Sequence, residues 1–347
     1  MTTSNRIFSV FSFITFVFCC IPLRRHMQAW NIGICLNMAW TALACLNYFI
    51  NSVIWNDNVN NPAPVWCDIS SRIYLSSIIA IPVAVLCTTR RVYLITIGHM
   101  PLTTTQKHRA IMLDLALGLG IPLIFVILMY IPQRKRFIIF EDIGCSIAID
   151  DDPISMVIGS GSQVVVSLAC AAYSTLTIYT IYQKYSGLSE LLSSNNTIDM
   201  SQYVRVLIIA TLSSICVVPV ALYMLVNNWI TANSWPGLKV IHSDFSPVLV
   251  PASVWRSVQV AKYSPEIRRW GFVFNGFVIF ACFGIHKEAR RRYRLTAYHV
   301  FQCVSCFRVK KCFHSLFMCA IQLICYFTAL ERLQIMTQNL RLRGCCR

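Results

Sequence analysis

Apolar residues gather in seven runs along the chain, at about 7–23, 31–55, 67–89, 110–132, 154–182, 204–228 and 267–286, separated by polar and basic stretches. Each run is long enough to cross a bilayer core as a helix. In lipid every backbone amide must be paired within the protein, so a spanning segment is a helix unless it closes into a barrel, and these runs lack the alternation of a barrel strand. The pattern predicts an all-α membrane protein, with a seven-transmembrane helix bundle over residues 1–294 and an atypical tail over 295–347. The first run could read as a signal peptide. It has only Arg6 before it, no small-x-small cleavage site, and Arg24-Arg25 immediately after it, which favours a retained first helix with the amino terminus outside.

Composition agrees. The 347 residues are 56% hydrophobic and 13% charged, against about a quarter charged in soluble domains. The net charge of +16 does not point to nucleic acid, because the basic residues fall between and after apolar runs instead of along one folded face. With the amino terminus outside, the cytoplasmic segments hold 20 Lys and Arg, while the outer segments hold ten basic and nine acidic residues. That is the positive-inside asymmetry, with Arg134-Lys135-Arg136 as the outer exception. The N-x-Thr acceptor Asn195-Asn196-Thr197 then lies inside, where it should carry no sugar.

Within the runs a few residues stand out. Asp68 and Arg72 share a helix face at the outer mouth and are expected to pair. Arg90 and Arg91 end the third run at the inner rim, and Asp114, costly in the fourth run, should find one of them. Pro82, Pro122 and Pro219 each remove a backbone hydrogen bond, marking candidate hinges whose freed carbonyls neighbouring helices must satisfy. Of the seventeen cysteines most lie inside apolar runs; Cys67 and Cys145 face the oxidising side and form a disulfide candidate. No hydrolase, phosphate-loop or zinc-protease motif is present, and His26, His99 and His242 read as scattered loop residues. These features predict no enzyme, no cofactor and no metal site. A transporter would be expected to carry intramembrane charges or paired broken helices, for which there is no signal.

A resemblance sharpens this reading. Trp30-Asn31-Ile32-Gly33, Leu46-Asn47-Tyr48-Phe49-Ile50-Asn51, Ala63-Pro64-Val65-Trp66-Cys67-Asp68-Ile69, Arg90-Arg91-Val92-Tyr93, Gly118-Leu119-Gly120-Ile121-Pro122, Phe140-Glu141-Asp142-Ile143-Gly144-Cys145 and Phe283-Gly284-Ile285-His286-Lys287-Glu288-Ala289-Arg290 resemble fungal a-factor-type mating pheromone receptors, class D G-protein-coupled receptors. The resemblance runs in order from residue 7 to about 294. It implies a plasma-membrane receptor whose partners are a farnesylated peptide pheromone, a heterotrimeric G protein and membrane lipid, with homodimerisation left open. Ligand contacts are then expected from Asn47, Tyr48, Asn51, Trp55, Asp68, Arg72, Trp255 and Arg256, and G-protein contacts from Arg90, Arg91, Lys107, Arg109, Lys184 and Arg205. The alternative is a receptor-like orphan that does not signal, or, further off, a transporter.

The tail departs from the family's long, polar, Ser-rich pattern. Residues 312–330 contain no Asp, Glu, Lys or Arg, flanked by Lys310-Lys311 and by Arg341, Arg343 and Arg347. It reads as an interfacial segment, with Cys303, Cys306 or Cys312 as acylation candidates, or equally as a gene-model artefact.

Overall fold

The computed structural model describes residues 3–98, 103–149, 152–183, 237–257 and 259–284, with isolated positions between 205 and 235. The chain divides into two units, Met1–His286 and Lys287–Arg347, and the second lies outside the described residues. So do His99, Lys184, the Asn195 acceptor, the tail cysteines and most of the run 204–228, within which Arg205 and Pro219 are isolated described positions.

Six long helices make up the described bundle: α1 (Thr3–Gln28), α2 (Ile32–Ile54), α3 (Pro64–Thr96), α4 (Thr104–Leu128), α5 (Pro153–Gln183) and α6 (Gln259–Phe283). The first five are long and apolar enough to cross a membrane. The sixth is as long, but its first half holds Lys262, Glu266, Arg268 and Arg269. Local chemistry sets the starts. Thr103 and Gln106 form a reciprocal capping box at α4, Asp152 and Ser155 do the same at α5, and Pro64 and Pro153 occupy first-turn positions where a missing N–H costs nothing. Inside α5, Val157–Gly161 forms a π-helical turn.

α3 is the central rod, packed against α2, α4 and α5, while α1 lies between α2 and α6. Small polar groups stitch the helices where hydrocarbon gives no driving force for association. Asn275 Nδ2 donates to Thr41 Oγ1 at 2.8 Å, Ser12 Oγ to the Cys45 carbonyl at 2.8 Å, and Ser9 and Ser52 share a hydroxyl hydrogen bond at 2.8 Å. The outer flank of α4, including Leu119, Leu123, Ile124 and Ile127, is exposed, as a lipid-facing surface should be.

The expectation of a purely helical protein needs correction. Between α4 and α5 a hairpin forms from β1 (Gln133–Phe140) and β2 (Gly144–Ile149), and β3 (Val248–Val250) joins in parallel beside β1, giving the order β2-β1-β3. Ile139 stands opposite Cys145 on one side and Leu249 on the other. Phe137 and Ile139 alternate inward on β1 and are fully buried, but the run Arg134-Lys135-Arg136 before them hides that alternation in the sequence.

Candidate functional site

The sheet caps one end of the bundle, and two features tie it down. Cys67, at the top of α3, is joined to Cys145 of β2 with a Cα separation of 5.2 Å, inside a cluster with Trp55, Phe137 and Ile139. Gly144 takes φ +94° directly against Asn51, where a side chain would clash. The second tie is Asp142, a buried residue at φ 68° in the hairpin turn. Its N–H donates to the Trp55 carbonyl at 2.9 Å, and its carboxylate accepts from the Asp57 N–H at 3.2 Å and from Arg256 Nη2 at 2.5 Å. Its carbonyl accepts from Arg269 Nη1 at 3.3 Å. One residue thus joins the segment after α2, the hairpin and the segment before α6 to α6 itself. Arg269 is only 1% exposed, grips Glu266 through two bonds at 2.5 and 2.7 Å, and lies 4.3 Å over the Phe8 ring. Buried, paired and hydrogen-bonded, it is the kind of charge an apolar bundle tolerates.

Five of the eight residues expected to contact ligand are committed to this cap and the core beneath it. Asn47 donates to the Ser70 carbonyl at 3.1 Å. Asn51 donates to Ser70 Oγ at 2.8 Å and accepts from the Trp66 indole at 2.8 Å. Trp55, fully buried, donates to the Asn60 carbonyl at 2.8 Å. Tyr48 packs among Phe8, Tyr74 and Phe272, and Trp255 is 2% exposed under the Arg256 guanidinium. These five build the mouth from behind. Arg256, with its carboxylate partner Asp142, braces the segment that precedes α6.

The expected Asp68–Arg72 pair is also corrected. Asp68 receives two bonds from Arg136 of β1, at 3.0 and 2.5 Å, while Arg72 Nη2 donates to Gln133 Oε1 at 2.6 Å. A forked guanidinium approaching across the hairpin outcompetes a helical neighbour four residues away. The same pairing accounts for the outer basic cluster: Arg136 meets Asp68, and Lys135 meets Asp244. The hydrogen bond from Lys135, ahead of one from Ser246, holds the Asp244 carboxyl below its ordinary range. A depressed carboxyl stabilises the fold above its unfolded pKa and loses that contribution as pH falls through the folded one. Hydrogen exchange around residues 243–247, corrected for intrinsic rate, is therefore expected to stay constant from pH 8 to 5 and to rise only below about pH 4.

Beside the cap, Trp40 and Leu43 of α2 and Asp68, Ile69, Arg72, Ile73 and Ser76 of α3 line an open groove of about 540 Å³. Its upper end carries the charged pair of residues and its walls are apolar. Asp68 to Ser76 spans roughly 12 Å of helix. Arg72 Nη1 is buried there without a hydrogen-bond partner among the described residues. Of the lining residues, the Trp40 indole donates to the Gly118 carbonyl of α4 at 3.2 Å. Gly118 is four residues before Pro122, so this is the carbonyl that the proline leaves without its helical donor.

At the opposite end Arg90 Nη2 pairs with buried Asp114 Oδ1 at 3.3 Å, and Arg91 Nη1 donates to the Trp30 carbonyl at 2.6 Å. Arg205 donates to the Cys282 carbonyl at 3.0 Å, and Lys107 and Arg109 are exposed. His26, expected in a solvated loop, is instead buried in α1 with its ring edge-on to Phe283 at 4.8 Å. Pro82 sits buried within α3, where its carbonyl accepts from Cys170 Sγ at 3.6 Å. Among the described residues no cluster of His, Cys, Asp or Glu could hold a metal. Sequence reading missed Trp40, Gln133, Asp142, Glu266 and Arg269. The available signals were Pro122, which demands a donor for Gly118, and the pair Arg268-Arg269 close to an apolar run.

A family model, the STE3 pheromone A receptors, matches residues 7–305. The pheromone B alpha 3 receptor of Schizophyllum commune is 36% identical over 291 residues, covering 83% of this chain and 46% of its own. The pheromone B alpha 1 receptor of Schizophyllum commune is 38% identical over 282 residues, covering 80% of this chain and 44% of its own. Pheromone receptor 1 of Mycosarcoma maydis is 27% identical over 297 residues, covering 83% and 82%. The chain thus spans just under half the length of the Schizophyllum commune receptors.

Proposed function

Because the chain belongs to the pheromone A receptor family, a family of membrane receptors and not of enzymes, we propose that it is a G-protein-coupled receptor for a lipidated mating pheromone peptide. In this reading it sits in the plasma membrane with seven spans and its amino terminus outside. The alternation of the helices supports that count. α5 leaves its capped start beside the sheet and ends at Gln183 toward the inner rim, whereas β3 lies back in the sheet; the apolar run 204–228 would supply the return.

The observation that carries the ligand class is the groove between α2 and α3, open on the flank of the bundle, apolar along its walls and charged where it meets the cap. A prenyl chain gains about 0.8 kcal/mol per buried CH2 and reaches the outer leaflet by partition, so a lateral opening suits it. Asp68 and Arg72 would then read the peptide end, with Arg72 Nη1 as a free donor. Asn47, Tyr48, Asn51, Trp55 and Trp255 would act by holding the mouth in shape. Inside, Arg90, Arg91, Lys107, Arg109 and Arg205 would border the G-protein groove, and ligand would shift the helices only through its preference for the open form.

Expression in receptor-deleted mating-reporter yeast, challenged with a panel of farnesylated peptides, tests the reading. Dose-dependent reporter induction is expected. Leu43→Trp, which fills the groove, is expected to lower potency about tenfold or more at equal surface level, as a lost apolar contact of this size should. Induction by no member of the panel, or equal potency of farnesylated and unmodified peptides, would count against it.

A further inference from the structure

The Trp40 side chain performs two tasks that the helices otherwise keep apart. Its side chain lines the α2/α3 groove, and its N–H satisfies the Gly118 carbonyl of α4. That carbonyl lacks the usual donor four residues on, since residue 122 is proline. In a hydrocarbon surrounding, a bare carbonyl is costly and has no water to turn to. The bend of α4 at Pro122 is therefore stabilised by a residue of a different helix, whose ring is exposed to whatever occupies the groove.

α4 is anchored immediately below that point. Asp114, one turn before Gly118, pairs with Arg90, and the Cys87 thiol reaches the Asp114 carbonyl at 4.0 Å. At Gly118 α4 also approaches α2 closely, since a Cβ there would strike the Leu36 side chain. Pro122, the carbonyl it frees at Gly118 and the Asp114 carboxylate of the rim ion pair thus lie within about two turns of α4, with Trp40 reaching in from α2.

We infer that Trp40 is the positioning residue that couples occupancy of the α2/α3 groove to the bend of α4 at Pro122, and through Asp114 to the Arg90 rim. The inference rests on the receptor reading for its signalling consequence, but not for the coupling itself. A chain wedged against the indole displaces its N–H from Gly118; α4 then relaxes about Pro122 and the load on the Asp114–Arg90 pair changes. Trp40 holds the resting conformer while the groove is empty.

The test is a double-mutant cycle between Trp40→Phe and Pro122→Ala. Phenylalanine keeps an aromatic lining but cannot donate, and alanine at 122 supplies the missing N–H from within α4. Trp40→Phe alone is expected to raise ligand-free nucleotide exchange about fivefold and to lower the unfolding midpoint in detergent by about 2–4 °C. In the Pro122→Ala background both effects should vanish. Equal effects of Trp40→Phe in both backgrounds, or none in either, would overturn the coupling. If Trp40→Phe expresses poorly alone, its rescue by Pro122→Ala is the expected result, and failure of rescue counts against. Coupled midpoints without any pheromone-driven exchange in the wild type would uphold the coupling and sink the receptor reading instead.

Discussion

Replacing Arg269 by alanine is expected to destabilise the protein by about 3–5 kcal/mol, the usual effect of removing one partner from a buried charge pair. The residue is 1% exposed and serves four acceptors or faces at once: Glu266, Asn5 Oδ1, the Asp142 carbonyl and the Phe8 ring. Its loss strands the Glu266 carboxylate against the bundle and cuts α6 from the hairpin turn. Thermal unfolding in detergent or nanodiscs, with surface expression in cells, measures this. Arg268→Ala is the matched control. Arg268 is exposed and donates to Tyr74 Oη at 3.2 Å, so its change should stay within about 1 kcal/mol. The double change Arg269→Met with Glu266→Leu should recover most of the loss, because apolar residues can replace a buried ion pair at little net cost. Equal stability of the two arginine variants would show that Arg269 is not the anchor described.

Comparable in size is the effect expected for Cys67→Ser. The bridge to Cys145 closes a sequence separation of 78 residues, for which the chain-entropy relation gives about 4.5 kcal/mol. It also fixes the end of α3 that carries Asp68, so the Arg136 fork should loosen with it. Cys145→Ser should behave like Cys67→Ser, and the double variant should be no worse than either, since all three remove the same bond. Unfolding midpoints and non-reducing electrophoresis read the result. A double variant with the summed loss of the singles would mean that the two sulfurs do not act as one link.

Both predictions concern the sheet-bearing cap, which is where the sequence was least legible. Helices announced themselves through composition. The apolar runs begin and end within a few residues of α2 and α5, while α4 and α6 start markedly early, because Lys107 and Arg109 in the one and Lys262, Glu266, Arg268 and Arg269 in the other dilute their first turns. Asp114 needed a cation, and Arg90 is there. The sheet was invisible because its strands are short and one opens on three basic residues. Roles at the bundle mouth are hard to read from sequence for a related reason. Asn, Tyr and Trp at the mouth of a bundle look alike whether they face a ligand or bond to a neighbouring backbone, and only the fold shows Asn51 held between Ser70 and Trp66. Partner choice across helices, as between Arg72 and Arg136 for Asp68, depends on distances that no linear pattern encodes.

Asp142 sets how the cap can move. Three chain connections and one helix all close on a single buried residue, so no strand or loop can detach alone without breaking bonds that hold the others. Access to the bundle from above should consequently behave as one gate with one rate constant, and whatever is trapped beneath it should escape with a single-exponential residence time.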